Sequence, residues 1–242
     1  MPQVDTLKAC FTFKDVSAKT QEHLKQVYFN LGLCTMTCAL GMYMNAYTVV
    51  SGFLAQVAAM IGMGYMTYKV SNTYESESLR LGYLKALSFC MGYLAGPLIH
   101  HLAEFEPMIL IQAVSYTAIM FLSFTAISLF SKRRSFLFLG GIIVTMTSCM
   151  FWYRTLAWLF GYSRFGGEFG LVYTMSGLFV ACLYVIFDTQ LIIERAERGF
   201  KDVPQHSMIL FMDLFELFIK VIQILIKLSE ENKKKDKKKR KD

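Results

Sequence analysis

Charge is what this sequence is short of. Only 18% of its 242 residues are Asp, Glu, Lys or Arg, against about 25% in an ordinary soluble domain. The shortage is concentrated, because no charged residue occurs between Val27 and Tyr68. A helix bathed in water needs polar side chains every turn or two, so such a run excludes a compact water-soluble domain. The marks of several chemistries are missing too. The six cysteines include no Cys-x-x-Cys, and Cys34, Cys38, Cys90, Cys149 and Cys182 all lie in apolar segments. They read as small membrane-buried side chains, not as a disulfide framework or a zinc site. There is no nucleophile elbow and no phosphate loop. The four histidines, His23, His100, His101 and His206, contain no His-x-x-x-His, and the adjacent pair points to different faces, which leaves little for a zinc hydrolase. The lysine-rich end lacks the interleaved aromatics that stack on bases, so nucleic acid is not an expected partner. Neither enzymatic activity nor a resident cofactor is expected.

What is present is apolar: 55% of residues are hydrophobic and the mean hydropathy is +0.40. The expected fold is an all-α membrane protein of six to seven transmembrane helices, with the lipid bilayer as its solvent. A span needs about 20 mostly apolar residues. Six runs qualify, at about Tyr28–Tyr47, Gly52–Tyr68, Gly82–Ala103, Met108–Phe130, Phe136–Tyr153 (extending towards Phe160) and Phe169–Ile193. A seventh segment, Ser207–Leu228, is apolar but carries charges. The expected organisation is an arm over 1–27, a transmembrane region over 28–228 and a lysine-rich tail over 229–242. The arm has no apolar stretch ahead of a small-residue cleavage site, so the first span is expected to serve as the insertion signal. Gly92 and Gly96, followed by Pro97, form a small-xxx-small stretch suited to close helix packing.

Basic residues set the expected orientation. Lys69, Arg80 and Lys85 flank the second connection, Lys132, Arg133 and Arg134 the fourth, and Arg195, Arg198 and Lys201 the sixth. The alternate connections are nearly bare, and the arm carries Lys8, Lys14, Lys19 and Lys25. The positive-inside rule therefore places the N-terminus in the cytosol. The tail conflicts with that assignment. Residues 229–242 hold eight basic against four acidic side chains, and seven full crossings would carry them away from the cytosol. Either the seventh segment is re-entrant or it crosses against the charge bias.

That segment also carries the chemistry. Asp213, Glu216, Lys220 and Lys227 are spaced 3, 4 and 7 apart and fall within about 60° of one another on a helix. A single polar stripe on a greasy helix must face protein or a watery cavity. Asp188, near the end of the sixth span, and Asp213 are almost equidistant from residue 200. In an antiparallel hairpin both carboxyls would sit at matched depth, roughly 8–10 Å in from the helix ends. Two carboxylates close together cannot both ionise cheaply, so they can share a proton, and loss of that proton leaves oxygen ligands suited to calcium. The blander readings are a helix-to-helix hydrogen bond for Asp188 and a pairing of Asp213 with Lys220. For Glu216, a salt bridge to Lys220 is the preferred reading.

At these residues the chain resembles the Bax-inhibitor family of transmembrane proteins. The resemblance is carried by Leu79-Arg80-Leu81-Gly82, Gly96-Pro97, the run Lys132 to Gly141, Phe187-Asp188-Thr189-Gln190 through Glu194, Ala196-Glu197 and Leu210-Phe211-Met212-Asp213. It implies a helical bundle with the last, charged segment packed centrally. It further implies a pH-sensitive calcium leak of the endoplasmic reticulum membrane that opposes programmed cell death, with Asp188 and Asp213 as proton switch and calcium path. Calcium is then the transported ion. Cell-death regulators and stress sensors are implied partners, with the C-terminal tail as their contact. Arg80 is the nearest candidate for an arginine that latches the aspartates in bacterial relatives, and Glu216 departs from the neutral residue expected there. Glu216, Arg80 and Lys220 are therefore candidate modulators. Two other readings stay open: a proton-coupled calcium exchanger built on the same pair, and a non-transporting scaffold that binds partners through the tail.

Overall fold

A computed structural model of the chain describes residues 16–47, 52–131, 134–160 and 169–239. Seven α-helices are formed there: α1 (Ala18–Tyr47), α2 (Phe53–Ser71), α3 (Glu77–Phe105), α4 (Pro107–Phe130), α5 (Leu139–Phe160), α6 (Phe169–Glu197) and α7 (Val203–Lys239). No strand occurs among the described residues. Every expected span has its helix, so the chain is an all-α membrane protein. Three helices combine the length and apolarity of a crossing on their own, over Ala18–Ala46, Pro107–Phe130 and Gly170–Glu197. The others carry more polar side chains, such as Arg80, Lys85 and His100 on α3. Lys8, Lys14, Lys132, Arg133 and the terminal Arg240-Lys241-Asp242 lie outside the described residues.

Helices overrun the apolar runs most at the two ends of the described chain. The first begins at Ala18, about three turns before Tyr28, and its leading turns hold the exposed Lys19, Glu22 and Lys25. The last is unbroken from Val203 to Lys239. At 1.5 Å per residue it measures roughly 55 Å, well beyond the ~30 Å hydrocarbon core. The boundary expected at 228/229 is therefore not a break in secondary structure.

Two compact units are defined, one drawn from Lys14–Leu110 with Ile192–Met212, the other from Ile111–Leu191 with Asp213–Asp242. In the first, α1 and α2 both pack on α3. The buried side of α1 is a regular stripe, Thr20, Leu24, Val27, Leu31, Cys34, Cys38, Gly41 and Asn45, spaced alternately four and three residues apart like a coiled-coil seam. Phe29, Met36, Leu40 and Tyr43 on its other faces are exposed, as lipid-facing side chains are. With little hydrophobic gain available between helices in a bilayer, close backbone approach and interhelical hydrogen bonds must hold the contact. Both are present. A Cβ on Gly92 would strike the Cys38 carbonyl, one on Gly41 the Phe89 carbonyl and one on Gly96 the Asn45 side chain. The Thr37 and Ser88 hydroxyls hydrogen-bond across the seam. The helix α3 continues through Pro97.

In the second unit, Leu139, Ile143, Leu183 and Ile186 form a core that Phe124, Phe136, Met146, Tyr184 and Phe187 surround. Polar bonds fix the register of α4 against α6. The Ser128 hydroxyl donates to the Ile186 carbonyl at 2.9 Å, and the Gln190 amide donates to the Ser128 carbonyl at 2.8 Å.

Candidate functional site

The second unit brings Asp188 on α6 and Asp213 on α7 together. Their carboxyl groups are in hydrogen-bonding contact, and Glu216 is close enough to act on Asp213 electrostatically. Asp213 is only 8% exposed, and its Oδ2 has no hydrogen-bond partner among the described residues. Asp188 is half-buried, between the buried Ile186 and the buried Thr189 and Gln190. The Gln190 and Ser128 bonds described above fix the turn of α6 that presents Asp188. A buried carboxyl oxygen without a donor retains lone pairs for a proton or a cation, and a second carboxyl beside it supplies further oxygen.

The rest of the polar stripe faces the same neighbours. Glu216 and Lys220 line a cavity of about 650 Å³ whose other walls include Thr147, Arg154 and Thr155 of α5 and Tyr173, Gly177 and Tyr184 of α6. Among the described residues they form no ion pair with each other, so the expected Glu216–Lys220 bridge is not made. Instead the Lys220 stem lies against Gly177, and Glu216 is exposed in the cavity. Lys227 bonds to the Gly170 carbonyl and the Thr174 hydroxyl at the start of α6. Arg154, on α5, brings a further cation to this cavity and to its neighbour. Nothing in its spacing singled it out, because α5 reaches the cavity only through folding.

Arg80 belongs to the first unit. Its Nε donates to the Val70 carbonyl at 2.8 Å and its NH2 to Asp202 Oδ2 at 2.7 Å. Asp202 is engaged twice, since its Oδ1 also accepts from the Gln205 amide at 3.0 Å and caps α7. The Asp-x-x-Gln spacing of a capping box is legible at 202–205, but the ion pair to a residue so distant in sequence is not.

The same unit contains a buried histidine pair that spacing could not have found. His23 Nε2 and His206 Nδ1 are 2.8 Å apart, with the residues only 4% and 2% exposed. His23 lies in the charged leading turns of α1 and His206 precedes the apolar run of α7. Burial lowers both pKa values, that of His206 to about 4. Two neutral rings result, one donating to the other. Among the described residues no three metal-binding side chains cluster.

Comparison with known proteins places this architecture. The family described as "Inhibitor of apoptosis-promoting Bax1" matches residues 20–230. Bax inhibitor 1 of Bos taurus is 37% identical over 236 residues, covering 95% of both chains. The Homo sapiens protein of that name is 35% identical over 238 residues, again covering 95% of each. The one from Arabidopsis thaliana is 33% identical over 225 residues, 93% of this chain and 87% of its own. With a family match spanning helices α1 to α7 and relatives aligned almost end to end, this chain is a member of the Bax inhibitor family of membrane proteins.

Proposed function

We propose that the chain is a calcium leak of the endoplasmic reticulum membrane, gated by protonation of the Asp188–Asp213 pair, which opposes programmed cell death without enzymatic chemistry. The observation that carries this reading is the carboxyl contact itself, with one Asp213 oxygen buried and undonated. Two carboxyls in such contact hold a proton between them. When it leaves, like charges repel and the α6–α7 contact loosens, while a divalent cation satisfies both groups. Acid then shuts the path and alkali or calcium opens it. Bax inhibitor 1 is the name borne by the relatives, and suppression of cell death through store calcium is the corresponding role here.

The proposed orientation has the N-terminus cytosolic. The unbroken α7 favours a full crossing over a re-entrant segment, since it has no turn at which to come back. Glu216 and Lys220, which line the cavity beside the pair, are proposed modulators. Arg80 is proposed to act indirectly, through its hold on Asp202 at the start of α7.

Calcium flux into proteoliposomes between about pH 5 and 8, for the wild type, Asp188→Asn and Asp213→Asn, tests the proposal. Flux that rises with pH in the wild type, and a flat profile in either variant, are expected. Absence of flux above protein-free vesicles, with insertion verified, overturns it in favour of partner binding through the tail. Uphill calcium movement coupled to a proton gradient would identify an exchanger on the same pair.

A further inference from the structure

A second recess lies in the other unit, where α6 ends and α7 begins. It is lined by the last turn of α6, the 198–202 connection, the first turn of α7 and the start of α3, and its volume is about 800 Å³. Four cations border it, Arg80, Arg195, Arg198 and Lys201, against the carboxylates of Glu77 and Asp202. Two of the four are committed. Arg80 is held by Asp202, and Arg198 Nε donates to the buried Glu194 at 2.7 Å. Arg195 and Lys201 make no ion pair among the described residues. The recess thus has two cations neutralised by neighbouring carboxylates and two that form no ion pair among the described residues.

Its depth and rim narrow the choice of ligand. Arg195 follows the last strongly apolar residues of α6, ending at Ile193, and lies in the last turn of that helix, where a basic side chain on a spanning helix reaches the lipid headgroups. Gly199 takes a positive φ of 96°, reversing the chain so that Phe200 stands out at 70% exposure on the recess wall. A soluble anion has no use for an exposed phenyl ring, whereas a ring at that level can enter the acyl boundary of a leaflet. The start of α7 offers an anion little by itself, because Pro204 has no N–H and the Gln205 amide is already taken by Asp202. Recognition would fall to the side chains of Arg195 and Lys201.

We propose that this recess binds the phosphate-bearing headgroup of an anionic membrane phospholipid, with Arg195 and Lys201 meeting the phosphate and Phe200 entering the leaflet beside it. A cation near an anionic headgroup is worth about a fivefold gain in affinity, so the two together contribute roughly thirtyfold.

The test uses the full chain in a neutral detergent and dioctanoyl phosphatidic acid as probe, with dioctanoyl phosphatidylcholine and glycerol 3-phosphate as comparators. Native mass spectrometry reads occupancy. Phosphatidic acid is expected to bind saturably, and about thirtyfold more weakly to an Arg195→Gln, Lys201→Gln double variant. Lys25→Gln, a charge removed from an exposed site outside the recess, is expected to bind as the wild type does. Equal binding of the two lipids, or wild-type binding by the double variant, overturns the proposal. Glycerol 3-phosphate binding as tightly as phosphatidic acid overturns the lipid assignment in favour of a soluble phosphoester. Should the double variant fail to fold, Phe200→Ser, at an exposed position, decides the matter: loss of the lipid's advantage over glycerol 3-phosphate supports the proposal, and its full retention refutes it.

Discussion

Asp213 has a neighbour one turn along α7 whose role differs from its own. Glu216 is exposed to the cavity and unbridged to Lys220, so its charge acts on whatever enters. Replacing it with Gln should lower calcium flux about two- to fivefold at low salt, through loss of local cation enrichment, while the pH profile keeps its shape. The deficit should shrink near 1 M salt, where the screening length falls to about 3 Å. Flux measured in the same vesicles at both salt concentrations checks this, and equal rates for both proteins at low salt would remove Glu216 from the path. The stripe of four charges was legible in the sequence because helical spacing puts them on one side. Counting from the α6–α7 connection also paired Asp213 with Asp188, but the surroundings of the other three depend on which helix lies opposite: the cavity for Glu216 and Lys220, Gly170 and Thr174 for Lys227.

Among the helices, the α1–α3 contact offers a sharp comparison. Gly92 meets the Cys38 backbone, whereas Gly82, on the same helix, has nothing within 4 Å. Gly92→Ala should cost about 1–3 kcal/mol by forcing the two backbones apart. Gly82→Ala should be neutral or add up to about 1 kcal/mol through helix propensity. Thermal midpoints in detergent check both, and a stabilised Gly92→Ala would contradict the close approach. The small-residue stretch on α3 announced such a contact, but not that α1 supplied the other side. A second prediction concerns the histidines that join α1 to α7. Their folded pKa values are depressed, His206 to about 4 from 6.5. Their neutral pairing therefore stabilises fully above about pH 6.5, and that stability is lost as pH falls towards 4, because the unfolded chain takes up the protons first. The thermal midpoint should fall between pH 7.5 and about pH 5, and His206→Gln should lessen that dependence. An unchanged slope in the variant would show that other groups carry it.

For the whole molecule, the tail separates a transporter from a scaffold. Residues 229–242 supply eight basic and four acidic side chains, and the helix that begins α7 runs on to Lys239 without a break. If the Asp188–Asp213 pair is the path, a chain ending at Leu228 should conduct calcium within about twofold of the full chain, since charges beyond a screening length of about 10 Å contribute little. Its loss of cell protection with flux intact would instead assign protection to partner binding.

What the sequence determined by itself was the solvent and the helices. Uncharged runs of spanning length leave a bilayer as the only medium, and in a bilayer a backbone that cannot bond to water must bond within its own helix. The depth match of Asp188 and Asp213 also followed, because both are counted along helices from a common turn. Tertiary structure alone decided the rest: the seam of α1, the Arg80–Asp202 and His23–His206 pairs, and the basic recess beside Phe200. In water a buried face announces itself by being apolar. In lipid the outer face is just as apolar, so hydropathy cannot tell a helix's neighbour from its solvent, and only packing does.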